Sequence, residues 1–225
     1  GKPRLWIDRA FTLHGAGTIV TGTLTGGGLE RGAEVVLVPG GVRTRVRALH
    51  SHGQDRPAVG PGTRVALNLP DATLASPGQP DGARRGQVVT LPGLEACGGT
   101  WDVILERWDR PALGRSTTHR PLESGTRVNL QVGTARTAAR VQLGGGHPLL
   151  PGGRVTARLR LEQPIHAFAG DHFILRDWSE QSTLAGGMVL DSGTHPHPMD
   201  AATRRQVLEE CLRLGGDLPG LMRLH

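Results

Sequence analysis

Asp8 and Arg9 stand side by side in RLWIDRAFTL, a stretch whose other residues are largely apolar. Leu5, Ile7 and Phe11 set a period of two, so the segment is expected as a strand, and nothing in that pattern requires charge. An acid beside an arginine can pair as surface charges, worth under about 1 kcal/mol. It can also hold a guanidinium where an anion will meet it, since charge-assisted hydrogen bonds are the strong ones. A second arginine group lies in RVTARLRLE, where Val155, Ala157, Leu159 and Leu161 alternate with Arg154, Thr156, Arg158, Arg160 and Glu162. One face is core and the other wet, leaving the arginines either a solvated surface or contacts to a phosphate backbone.

The remaining reactive residues carry less. Cys97 and Cys211 lie far apart without partner spacing, and two reduced thiols are the expectation. His195 and His197 flank Pro196 without a third ligand candidate, and His50 and His52 are expected on one strand face as solvated edge residues. No metal site and no catalytic residue are assigned. There is no G-x4-G-K-S/T loop, and Lys2, the only lysine, precedes a proline. No G-x-S-x-G elbow or H-E-x-x-H helix occurs, and GAGTIVTG has Val20 where a dinucleotide fingerprint needs its third glycine.

The elements that must position these residues are β-strands. With 225 residues, no tyrosine, three Phe, four Trp, 34 Gly and 16 Pro, the core must come from Val, Leu, Ile and Ala between frequent turns. An all-β fold of two consecutive small antiparallel barrels is expected. The first, residues 1–92, takes strands Leu5–Leu13, Gly17–Leu24, Glu34–Val38, Val42–His52, Thr63–Leu69 and Gln87–Leu91. The second, residues 99–192 after the linker LPGLEACGG, takes Trp101–Arg107, Gly125–Val132, Arg136–Leu143, Arg154–Glu162, Phe173–Asp177 and Thr183–Asp191. In residues 193–225 the period changes, and Asp200 is expected to cap a short C-terminal helix with Val207, Leu208, Cys211, Leu212 and Leu214 as its stripe, ending at Gly215. No run of 18 apolar residues exists, and the start has no signal-peptide core, so a soluble, cytoplasmic, monomeric chain is expected. Basic residues total 26 against 20 acids, and residues 1–92 hold 11 against 6, a modestly basic first domain that fits a nucleic-acid partner.

The segments RLWIDRAFTLHGAGTIVTGTLTGGGLERGAEVVLVPGG, VRTRVRALHSH and GTRVALNL, in that order and spacing, resemble the second domain of the bacterial selenocysteine-specific elongation factors, in the elongation factor Tu superfamily. RLRLEQPIHAFAGDHFILRD and STLAGGMVLD are similar to the closing strands of that family's third domain. The resemblance covers residues 4–192 and implies translation-factor barrels. By it, Asp8, Arg9 and Arg64 match the proposed pocket for the selenocysteyl side chain, where most superfamily members have two acids. Phe11 and Thr18 match positions bordering the aminoacyl and terminal adenosine site. Arg154, Arg158 and Arg160 become candidates for contact with the tRNA backbone.

The implied partners are selenocysteyl-tRNA and the ribosome, with the messenger hairpin met through a C-terminal winged-helix region. Both that region and the GTPase domain that holds GTP and Mg are expected to lie outside this chain, which would then bind no cofactor and catalyse nothing itself. The implied selectivity rests on acidity: a selenol is largely anionic at neutral pH, whereas a thiol of pKa about 8.5 is mostly neutral and a serine hydroxyl always is. A fragment of a different translational GTPase, or a protein-interaction module of paired barrels, are the alternatives.

Overall fold

The computed structural model describes residues 1–77, 81–108 and 121–193, together with Glu210. The expected C-terminal helix, with His195 and His197, lies outside them apart from Glu210. The chain divides into two units: residues 1–95 with 133–135, and residues 96–132 with 136–225. No helix of the described residues is long and apolar enough to cross a membrane.

In the first unit, β1 (Arg4–Leu13) and β2 (Gly17–Thr25) form a hairpin over the turn at His14–Ala16. The short strands β3 (Leu29–Glu30), β4 (Glu34–Val38), β5 (Val42–Arg45), β6 (Ala48–Ser51), β7 (Gln54–Arg56) and β8 (Ala58–Val59) follow, then β9 (Arg64–Leu69) and β10 (Val88–Thr90). Eight strands form one sheet in the order β5-β4-β10-β1-β2-β9-β6-β7, and β3 pairs with β8. The sheet is curled about a single core of Leu5, Ile7, Val20, Leu24, Leu37, Leu49, Val65, Leu67 and neighbouring aliphatics. These are the inward members of the period-two patterns, and each fully buried Leu or Ile contributes roughly 1.5–3 kcal/mol.

Two local expectations are corrected here. The segment Val42–His52 is not one strand, because Val46 leaves the ladder and bonds instead to Gly32 and Ala33. His52, at φ 52°, and Gly53, at φ 73°, form the two-residue turn between Ser51 and Gln54. His50 and His52 therefore do not share a strand face. Paired positive φ values suit the right-handed twist of a tight hairpin, and His-Gly fills the role that Asn-Gly commonly fills.

The second unit is a closed barrel of β11 (Cys97–Glu106), β12 (Arg127–Val132), β13 (Ala135–Leu143), β14 (Arg154–His166), β15 (His172–Arg176) and β16 (Thr183–Asp191), in the order β11-β14-β13-β12-β15-β16. Trp101, Val103, Leu105, Leu130, Leu159 and Leu175 are buried, with Trp101 edge-on to Phe173 at 6.3 Å between ring centroids. β11 starts at Cys97, inside the expected linker, and β14 runs four residues past Glu162 to pair with it.

Candidate functional site: an arginine-rich bulge on the first sheet

The site begins with a break in register. β1 and β2 pair regularly from Arg4↔Thr25 to Ile7↔Gly22, and pairing resumes at Arg9↔Thr21. Asp8 is the extra residue of a β-bulge. The bulge inverts the phase of β1: Leu5 and Ile7 are buried, but Ala10 then packs toward the core and Phe11 is turned out, 37% exposed. The expected continuous face Leu5, Ile7, Phe11 is thus corrected. Without the bulge Arg9 would share the inward phase of Leu5 and Ile7, and the inserted residue moves that charge to the water side.

Beside the bulge, β2 presents Thr21 and Thr23 outward, and β9 presents Arg64 opposite Thr23. The Asp8 carboxylate accepts from the Thr21 hydroxyl at 2.7 Å and from Arg64 Nη1 at 2.6 Å. Its side chain is only 19% exposed, whereas that of Arg64 is 61% exposed. Partial burial works against ionisation of Asp8, but the Thr21 hydroxyl, the Arg64 hydrogen bond and charge, and the nearby charge of Arg9 outweigh it. The carboxyl is held below its ordinary value. Arg9 is exposed, and among the described residues its guanidinium makes no hydrogen bond or ion pair, acting on Asp8 through charge alone. Asp8, Arg9 and Arg64, separated by up to 56 positions in sequence, are thus brought together.

On the opposite edge of β1, the amide of Ile7 donates to Gln87 and that of Gly86 to Ile7. This pairing sets Arg85 against the bulge, its Nη1 3.4 Å from the carbonyl oxygen of Asp8. Sequence reasoning missed Arg85 because it sits in a turn-rich stretch read as connection, and missed Thr21 because only pairing across the bulge gives it a role. The dipeptide Arg84-Arg85 just before a strand was the available signal.

The other candidates are placed differently. Phe11 lies toward the hairpin tip, with Leu13 also turned outward. Thr18 is buried and donates its hydroxyl to the Ala72 carbonyl at 2.6 Å, so it supports the sheet from within. In the barrel, Arg158 binds the carboxylate of Asp102 at 2.9 Å, the acid being 2% exposed. That pairing occupies Arg158. Arg154 is exposed opposite Glu106, whereas Arg160 is exposed and lies directly across from Arg140. Like charges in direct opposition repel, and an anion between them relieves that. Among the described residues no group of three or more His, Cys, Asp or Glu is arranged to hold a metal ion.

Comparison with known proteins agrees with this architecture. The family model described as the β-barrel domain of the selenocysteine-specific elongation factor matches residues 111–196. The selenocysteine-specific elongation factor of Desulfomicrobium baculatum is 32% identical over 95% of this chain and 33% of its own length. That of Escherichia coli is 30% identical over 83% of the chain and 26% of its own length. Elongation factor Tu 2 of Streptomyces avermitilis is 28% identical over 84% of the chain. A crystal structure of a bacterial selenocysteine-specific elongation factor superposes with a TM-score of 0.70, at 22% identity, over 98% of this chain and 32% of that one, a likeness of fold. The chain spans about a quarter to a third of the length of these selenocysteine-specific relatives. On the matched barrel domain, the relatives and the shared fold, the chain is homologous to the β-barrel region of the selenocysteine-specific elongation factors.

Proposed function

We propose that this chain binds selenocysteyl-tRNA for delivery to the ribosome, and that the β1 bulge reads the selenocysteyl side chain as an anion. The observation that carries the reading is the Asp8–Arg64 ion pair at 2.6 Å beside an Arg9 without a partner among the described residues. One carboxylate fixes one guanidinium and leaves the local charge positive. A selenolate placed here meets charge-assisted donors, and a serine hydroxyl meets none that its own charge strengthens. Each such hydrogen bond contributes roughly 1.5–3 kcal/mol when sheltered, about tenfold to a hundredfold or more in affinity. On the open surface seen here the lower end applies, and a further domain of the full-length protein would close over the aminoacyl end and strengthen the contacts. A thiol can offer the same charge only after deprotonation, costing about 2 kcal/mol at pH 7.

Asp8 serves as the guard. Its carboxylate holds Arg64 in one orientation and repels anions that do not fit between the guanidinium groups. Phe11 is suited by its exposure to border the terminal adenosine, with Thr18 as support beneath. Arg160, with Arg140, is better suited to the tRNA backbone than Arg158, which Asp102 occupies. GTP and Mg would belong to a GTPase domain, and the messenger hairpin to a winged-helix region, of the full-length protein.

The test is the affinity for selenocysteyl-tRNA relative to seryl-tRNA at one fixed salt concentration. Arg64→Ala and Arg9→Glu should each lower that ratio about tenfold or more while leaving seryl-tRNA binding nearly unchanged. An unchanged ratio in both variants rejects the pocket, and affinity for tRNA that does not fall as salt rises rejects the tRNA reading itself.

A further inference from the structure

Arg85 enters the same region from an element that sequence comparison of β1 and β9 does not reach. The strand-like pairing of Ile7 with Gly86 and Gln87 fixes the backbone just after Arg85, and the Arg84 amide, donating to the Gln87 side-chain oxygen at 2.8 Å, fixes it just before. The Arg85 guanidinium, 3.4 Å from the Asp8 carbonyl oxygen, approaches the bulge from the edge opposite Arg64. Among the described residues no carboxylate other than Asp8 pairs with Arg9, Arg64 or Arg85. Three guanidinium groups from three segments therefore meet at the bulge: Arg64 on the Asp8 carboxylate, Arg9 acting on it through charge, and Arg85 on the Asp8 backbone carbonyl, with one carboxylate among them.

Such an excess has a cost in the empty protein, since like charges repel, and the residues are not required by the core: Arg9, Arg64 and Arg85 all face water. The bulge carbonyl is also a poor sole partner for a guanidinium with five donors, leaving most of the Arg85 fork unused. We propose that Arg85 is a third, specificity-determining member of the anion site, closing it on the side away from Arg64 and recognising a monoanionic side chain such as a selenolate. This rests on the reading of the bulge as the aminoacyl site. Asp8 compensates one of the three charges, and Arg85 holds the bulge backbone from the edge opposite Arg64, so the net positive charge at the bulge favours an anionic side chain over a neutral one. A bidentate Arg fork serves this geometry better than lysine.

The experiment titrates the full chain, as it exists, with reduced ethaneselenolate at pH 7 and constant chloride, following the backbone amides of Asp8 and Thr21 by NMR. Ethanethiol, mostly neutral at that pH, is the control. Wild type is expected to bind the selenolate and not the thiol. Arg85→Gln should weaken selenolate binding about threefold to fivefold, the effect of one partly exposed charge. Arg85→Lys should recover only part, and the thermal midpoint should be unchanged in both. Selenolate binding unaltered in Arg85→Gln overturns the proposal, as does absence of binding by wild type, or equal binding of thiol and selenolate. The tRNA arm is separate: if selenolate binding requires Arg85 but the chain does not distinguish selenocysteyl-tRNA from seryl-tRNA, the anion site stands and the aminoacyl reading falls.

Discussion

Deleting Asp8 separates what the bulge does for the fold from what it does for the site. Pairing is regular up to Ile7↔Gly22 and regular again from Arg9↔Thr21, so removing one residue joins the two registers directly. Leu5, Ile7 and Ala10 stay on the core face and Arg9 stays in water. The losses are the Thr21 hydrogen bond, about 1 kcal/mol, and the Arg64 ion pair, under about 1 kcal/mol because Arg64 is 61% exposed. The gain is a continuous ladder, about 0.5–1.5 kcal/mol for a restored backbone bond. The balance is within about 1.5 kcal/mol of wild type. Deleting Trp6 instead shifts Leu5, fully buried, to the outer face, which costs roughly 1.5–3 kcal/mol for that side chain alone. Urea unfolding at pH 7, comparing both deletions with wild type, gives the two differences. A loss above about 3 kcal/mol on deleting Asp8, or equal losses from the two deletions, refutes the claim that the bulge serves the site and not the core.

Other outcomes follow from the same geometry. Because Asp8 is held below the ordinary carboxylate value, its ionised form stabilises the fold at neutral pH, and that contribution disappears as pH falls through the depressed folded value. Asp8→Asn should therefore differ from wild type in unfolding free energy above about pH 5 and converge with it at acid pH; a constant difference in an acid titration contradicts this. Arg158→Leu should destabilise the barrel by about 2–3 kcal/mol, since it removes a charge-assisted hydrogen bond to the buried Asp102 carboxylate, whereas Arg160→Leu should be close to neutral in the same melt. The Cys97 thiol, pushed up to about 11 by burial, should alkylate at pH 8 roughly two orders of magnitude more slowly than a free thiol, as timed iodoacetamide labelling and peptide mapping will show.

What the sequence made legible was decided by where the physics is local. Alternation of aliphatic and polar residues located β2, β9, β13 and most of β14, because each strand has one buried face and writes it in steps of two. β1 was misread past Ile7 for the same reason: a bulge adds one residue, and Leu5, Ile7 and Phe11 look like an unbroken series until the partner strand is known. The break at Val46 depends on its bonds to Gly32 and Ala33, between β3 and β4, and the turn at His52-Gly53 on pairing with β7, segments too short to leave a periodic mark. At the site, Asp8, Arg9 and Arg64 were visible through family resemblance, while Arg85 and Thr21 acquire meaning only through the pairings on either side of the bulge. Arg158 looked equivalent to Arg154 and Arg160 on the strand, and only the buried Asp102 across from it sets it apart.

The central claim is that charge on the cargo is what the bulge reads. The most direct measurement is the ratio of affinities for selenocysteyl-tRNA and cysteinyl-tRNA on this chain as a function of pH at constant salt. The ratio should be greatest between the two side-chain pKa values, where one cargo is anionic and the other neutral, and should fall toward unity as pH is lowered through that of the selenol or raised through about 8.5, that of the thiol. It should be flattened in Arg64→Gln. A ratio that stays constant across this range, in wild type and variant alike, contradicts the account.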